Sequence, residues 1–317
     1  MNITRFAPSP TGRLHLGHAY SAVLGRDRGE QFRLRIEDLD QTRSRAEFIE
    51  GIYQDLEWLE VEWDGEVLVQ SRRASAYEAA LDQLRERGLV YPCFCTRADI
   101  AAALEAPHGQ AGTHYPGTCR TLPDDPDRRA SQPHGWRLDA AKALDLTGLP
   151  SWTEEDGRQF SSSAGDFDDA ILARKDAPAA YHLACVVDDA ASGVTLVVRG
   201  ADLRASTPIQ RLLQELLGLP EPHYLHHPLV THADGRRLAK RDHAPTLAAM
   251  RWPLLILLVL AMGATAYVLV RGVMNMASGQ DLTGERSQQW MQRRVLFQGL
   301  AIVIVILLLV VAGSSGR

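Results

Sequence analysis

Cysteine is scarce and lysine almost missing: the 317 residues hold four Cys, and 3 Lys stand beside 31 Arg. So few thiols exclude a scaffold held by disulfides. The opening residues, MNITRFAPSP, lack the charged-then-apolar pattern of a secretory signal, so the body is expected in the cytoplasm with its thiols reduced. An excess of positive charge is also missing. The net charge is −5, which excludes a protein that coats nucleic acid non-specifically but leaves room for a tRNA enzyme with a local basic groove. No internal repeat is visible.

What is present divides at about residue 250. Residues 251–317 carry six Arg against Asp281 and Glu285, a net of +4, which leaves the first 250 residues at −9. In that acidic body, residues 1–6 read as a strand and Ala7–Gly12 as a Pro-stiffened loop. The spacing of Leu14, Ala19, Ala22 and Val23 predicts a helix over 14–26, and the alternation in 32–36 predicts a strand. Amphipathic helices are predicted over 45–60, 74–87 and 207–217. The stretch 105–135 is rich in Pro, Gly, His and Asp without a period and reads as irregular. Residues 195–198 read as a strand ending in Arg199–Asp202, and the VVDD segment around Cys185 as another strand, with Cys185 a small core residue. Strands alternating with helices imply an α/β fold with a largely parallel sheet.

Two constellations carry chemistry. In the first, Phe6–His18 (FAPSPTGRLHLGH), a strand passes through a stiff loop into a helix whose first turn bears His15 and His18. Residues three apart share a helix face, and the helix N-terminus suits phosphate. Gly17 between them allows close approach of a ligand. The second is Cys93-Phe94-Cys95 with Cys119 beyond a Pro- and Gly-rich stretch. Three thiols in a cytoplasmic protein point to Zn²⁺, with His108 and His114 as chemically natural fourth ligands.

The first string resembles the "HIGH" signature of class I aminoacyl-tRNA synthetases of the glutamyl type. Arg33–Asp40 (RLRIEDLD), Ala180–Asp189 (AYHLACVVDD) and Val198–Leu203 (VRGADL) resemble further motifs of that family in order. Arg237–Arg241 (RLAKR) stands where its "KMSKS" loop belongs, departing from it at Arg237 and Ala239 but keeping Lys240. The resemblance implies a class I Rossmann-like α/β domain. It assigns L-glutamate to Arg5, Ser9, Glu37, Tyr181 and Arg199, and ATP with Mg²⁺ to Pro8, His15, Gly17, His18 and Lys240. His15, His18 and Lys240 would neutralise charge as pyrophosphate leaves. In a short subgroup, the glutamyl-queuosine tRNA(Asp) synthetases, the motif is C-x-C followed by Y-x₃-C. The resemblance then makes the tyrosine the fourth zinc ligand, which here means Cys93, Cys95, Tyr115 and Cys119 in an insertion over about 91–120. That subgroup attaches glutamate to queuosine in tRNA(Asp). A shortened glutamyl-tRNA synthetase that charges an acceptor end, or a synthetase-like module without activity, are the other readings.

The segment after 250 is of another kind. Residues 252–270 and 295–313 are two 19-residue runs without a charge, bracketed by arginines. As helices each spans roughly 28 Å, close to the bilayer core. Gln288, Gln292, Arg294 and Gln298, followed by the second run, resemble the hypoxia-induced-protein family of twin-transmembrane proteins. The expected organisation is a synthetase body over 1–250 and a two-helix membrane tail over 251–317. The positive-inside rule places the Arg-rich link 271–294 in the cytoplasm, whereas a cytoplasmic body places it outside.

Overall fold

The computed structural model describes residues 1–96, 98–100, 115–123, 125–230, 247, 267 and 270. The tail, the RLAKR loop with Lys240, and His108 and His114 lie outside the described residues. No helix among the described residues is long and apolar enough to cross a membrane.

Strands β1 (Ile3–Phe6), β2 (Gln31–Ile36) and β3 (Leu68–Val69) pair in parallel in that order. Strands β9 (Leu196–Gly200) and β10 (His223–His227) form a second parallel pair. The Thr195 N–H donates to the Ile3 carbonyl at 2.9 Å, so β9 enters beside β1. The parallel expectation holds for these strands only. Strands β4 (Val90–Cys93), β5 (Gly135–Leu138) and β8 (Ile171–Ala173) form an antiparallel sheet, and β6 (Ser151–Thr153) with β7 (Gln159–Ser161) an antiparallel hairpin.

Helix α1 (Leu16–Arg28) packs on β1 and β2, and α2 (Ala46–Trp58) turns Ile52 and Leu56 into the same core as Phe32, Leu34 and Ile36. A second core gathers α3 (Ala74–Glu86), α5 (Ala140–Thr147), α6 (Tyr181–Ala191) and α7 (Thr207–Leu217) around Tyr77, Leu84, Leu138, Leu183 and Leu212. Helix α7 ends on Gly218 in the left-handed region (φ 65°), which lets Leu219 N–H reach the Gln214 carbonyl.

Three local expectations are corrected. Residues 181–191 are a helix, not a strand. The Val pair favours a strand locally, but Leu183, Ala184 and Val186 are all buried, and successive Asp188 and Asp189 reach different partners around a helical turn. Within the stretch expected to be irregular, Pro126–Ser131 forms a short helix, α4, capped by Asp125 and started by Pro126, and β5 begins at Gly135. Arg199 lies within β9 rather than after it.

Candidate active site

The C-terminal ends of β1, β2 and β9 open into a cleft of about 920 Å³. It is lined by Arg5, Pro8, Ser9, His15, Gly17, His18, Glu37, Tyr181 and Arg199, together with Ser21, Asp202 and His227. Every expected glutamate and ATP residue in the described chain therefore meets in one place; Lys240 lies outside the described residues.

The loop from β1 to α1 is held at both ends. Glu37 N–H donates to the Pro8 carbonyl at 3.1 Å, and Arg45 N–H to the Pro10 carbonyl at 3.1 Å. His15 is the N-cap of α1, not a residue of its first turn. Its Nδ1 accepts from Gly17 N–H at 3.1 Å, while His15 N–H donates to His18 Nδ1 at 3.2 Å. Both imidazoles thus accept through Nδ1, which requires the Nε2–H tautomer in each. The pair is a reciprocal cap in which two histidines stand where Ser and Glu more often do. Gly17 leaves room for it: a Cβ there would stand 3.0 Å from the His15 ring, so the ring would have to shift by a few tenths of an ångström. His227 Nε2 lies 2.8 Å from Ser21 Oγ on the same wall.

Below the cleft sits a buried ionic cluster. Arg5 Nε–H donates to Asp189 Oδ1 at 3.0 Å, and its Nη1 to the Val198 carbonyl at 3.2 Å. Arg35 reaches the same Asp189 carboxylate and holds Glu37 Oε1 at 3.0 Å. Burial alone raises the Asp189 carboxyl, but the Arg35 and Arg5 charges outweigh it and hold it well below the usual carboxylate range. Glu37 goes the other way: burial raises its pKa more than Arg35 lowers it. Cys185 packs against this cluster, its Sγ 3.6 Å from both Arg35 and Asp189, and burial pushes its thiol up to about 11.

Arg199 has a different environment. It is 4% exposed, and its partners among the described residues are uncharged. Nε–H donates to His226 Nε2 at 3.1 Å, Nη1 to Gln210 Oε1 at 2.6 Å and Nη2 to Thr207 Oγ1 at 2.8 Å. Burial and the Arg199 charge bring the His226 pKa down to about 4, so the ring is neutral.

The second constellation closes on itself. The Sγ atoms of Cys93, Cys95 and Cys119 lie within 4.8 Å of one another, with Cys95 and Cys119 at 3.4 Å. Tyr115 Oη lies 3.5 Å from both Cys93 and Cys95 Sγ. A tetrahedral Zn²⁺ with sulfur at 2.3 Å and oxygen near 2.0 Å sets S–S edges of about 3.8 Å and S–O edges of about 3.5 Å. The Cys95–Cys119 edge and the two Tyr115 edges come within about 0.4 Å of that figure. Arg137 stands behind them, its Nε–H on Cys93 Sγ at 3.3 Å and its guanidinium 3.8 Å from the Tyr115 ring centre. Asp169 anchors the site to the antiparallel sheet, accepting from Tyr91, Arg120 and the backbone of Ala140.

Sequence reasoning missed the supporting residues. Asp189 and Arg35 lie inside recognised motifs, yet no spacing says that they meet across 154 positions. Arg137, Glu154 and His226 belong to no motif singled out above. A trace of signal existed in the charged residues inside apolar stretches, since a buried charge needs a partner.

The profile of the class I tRNA synthetases (E and Q), catalytic domain, matches residues 2–266. The chain belongs to that family and is a ligase of the aminoacyl-tRNA synthetase type. It is 49% identical over 248 residues to the glutamyl-Q tRNA(Asp) synthetase of Nocardia farcinica, covering 77% of each chain. It is 44% identical over 265 residues to that of Rhodobacter capsulatus, covering 78% of this chain and 94% of the relative. Among solved structures it resembles a glutamate-tRNA synthetase from Elizabethkingia anophelis with a TM-score of 0.64 and 28% identity. The match covers 76% of this chain but only 53% of that one, so the chain spans about half the length of that enzyme. A second profile, the hypoxia induced protein conserved region, matches residues 255–308 and overlaps the first over 255–266.

Proposed function

We propose that the chain activates L-glutamate with ATP and transfers it to queuosine at the first anticodon position of tRNA(Asp). The observation that carries the reading is one cleft lined by two unlike groups: the buried guanidiniums of Arg5 and Arg199, and the His15–His18 cap at a helix N-terminus. Relatives 44–49% identical bearing the glutamyl-Q tRNA(Asp) synthetase name support the choice of amino acid and tRNA.

In this reading Arg199 and Arg5 take the carboxylates of glutamate, Glu37 its ammonium group, and Tyr181 and Ser9 hydrogen-bond it. Pro8 and Gly17 shape the wall along ATP. His15 and His18 give Nε2–H donors to the phosphates, and Lys240 would add charge. A glutamate carboxylate oxygen bonds to the α-phosphorus as the bond to pyrophosphate breaks. A queuosine hydroxyl then bonds to the activated carbonyl, and AMP leaves. The protein supplies no nucleophile; its residues position the reactants and stabilise charge.

Cys93, Cys95, Cys119 and Tyr115 would hold a Zn²⁺ that ties the 91–120 insertion together. The proposed organisation is a cytoplasmic body over 1–250 joined to a membrane-spanning tail over 251–317; the match over 255–308 supports the second part.

The test is glutamate-dependent ATP–pyrophosphate exchange without tRNA, followed by glutamylation of tRNA(Asp) with and without queuosine. Exchange without tRNA and product only on the queuosine-bearing tRNA are expected. Equal charging of queuosine-free tRNA would establish the shortened glutamyl-tRNA synthetase instead.

A further inference from the structure

Arg5 and Arg35 each have a carboxylate, Asp189, directly on the guanidinium. Among the described residues Arg199 has none; there a carboxylate reaches it through the His226 imidazole. His226 lies opposite Arg199 in the β9–β10 register, so their side chains rise from the same face. His226 Nε2 accepts from Arg199 Nε–H, which places the ring proton on Nδ1. That Nδ1 lies 2.7 Å from Glu154 Oε1, and Glu154 Oε2 accepts the backbone N–H of His226 at 3.2 Å. Glu154 therefore grips His226 by ring and backbone at once. It follows β6 and is 3% exposed. Tyr224 stacks parallel to the His226 ring, with Arg199 5.3 Å from the Tyr224 ring centre. Arg204 Nη2 stands 3.4 Å from Glu154 Oε1 and holds its outer side. Neither Glu154 nor His226 lines the cleft, whereas Arg199 does.

We propose that Glu154 and His226 are positioning residues that act through Arg199, fixing its guanidinium for a carboxylate of the amino-acid substrate. This rests on the glutamate reading above. The physical reason for the intermediary is the supply of donors. A carboxylate placed directly on Arg199 would take up part of its fork, as Asp189 does on Arg5, and leave fewer N–H groups for the substrate. A neutral imidazole orients Nε–H and leaves one N–H on each terminal nitrogen beyond the bonds to Gln210 and Thr207.

The experiment is pyrophosphate exchange with the full chain at saturating ATP, titrating glutamate, for the wild type, Glu154→Gln, Arg199→Lys and the double variant. Glutamine at 154 keeps the volume and removes the charge, and lysine at 199 removes Nε–H while keeping a cation. Glu154→Gln is expected to raise KM for glutamate about tenfold, with kcat and KM for ATP within about twofold. In the Arg199→Lys background the same change is expected to add less than about twofold, because the relay is already cut. His226→Gln, which keeps an acceptor for Arg199, is expected to retain more glutamate affinity than His226→Ala. An unchanged KM for glutamate in Glu154→Gln overturns the proposal. So does an equal factor in both backgrounds, a parallel rise in KM for ATP, or a Glu154→Gln chain that fails to fold, since each marks a structural role. A wild-type chain that exchanges nothing with glutamate overturns the glutamate reading itself, and the relay with it.

Discussion

Among the described residues, Arg199 lines the cleft as a cation that lacks a carboxylate partner. It is a buried cation with hydroxyl, amide and imidazole partners, so a substrate carboxylate would complete it. Arg199→Ala is expected to remove about 3–5 kcal/mol of glutamate interaction, roughly two to nearly four orders of magnitude in kcat/KM, while ATP still binds. Exchange kinetics at low glutamate, beside nucleotide binding by calorimetry, check this. Glu37 brings a pH dependence. Its pKa is raised because burial outweighs the Arg35 charge, so on acidification it takes up its proton earlier than an exposed carboxylate. Once neutral it no longer pairs an ammonium group. KM for glutamate is therefore expected to rise as pH falls through the mildly acidic range, and Glu37→Gln to raise KM at neutral pH and flatten that rise. A pH profile of KM measured on both proteins decides it.

At the scale of elements, the cysteine-bearing insertion and helix α6 make opposite uses of buried polar groups. The insertion brings thiols together with little apolar core of its own, and Cys95 without metal is pushed up to about 11 by burial. Metal must displace thiol protons, so apparent Zn²⁺ affinity is expected to climb with pH, about tenfold per unit for each proton displaced. Competition against a chromophoric chelator at several pH values measures it. Cys119→Ser is expected to lose the metal and expose the segment before β5 to protease, and Arg137→Ala to weaken binding roughly tenfold or more. Helix α6 instead spends two successive acids on the fold. Asp188, fully buried, accepts from Gln70, Arg73 and Tyr77 and ties α6 to α3. Asp188→Ala strands the Arg73 guanidinium and two buried donors, so about 3–5 kcal/mol of stability should go, read from urea unfolding.

For the whole molecule, the junction near residue 250 separates an acidic body from a basic, apolar segment. Two uncharged 19-residue runs predict that the full chain sediments with membranes and is released by detergent but not by high salt. Recovery of the full chain in the salt wash would refute a spanning tail. A cytoplasmic body forces the link 271–294 outward against the positive-inside rule. Labelling a single cysteine placed in that link from outside the cell tests the orientation.

The family, the α/β class, four of the helices and nine of the residues that line the cleft were legible in the sequence. Those signals are local: a strand, a Pro-stiffened loop and a helix start lie consecutively in FAPSPTGRLHLGH, and the helices over 46–58, 74–86 and 207–217 follow from apolar spacing. The antiparallel sheets, the helical state of YHLACVVDDAA and the partners of every buried charge were decided by tertiary structure. Asp189 meets Arg5 and Arg35 across 184 and 154 positions, and Glu154 meets His226 across 72. Local propensity reads a Val pair as strand. The core around Leu183 and Leu212, and the cost of burying two acids without partners, make it a helix.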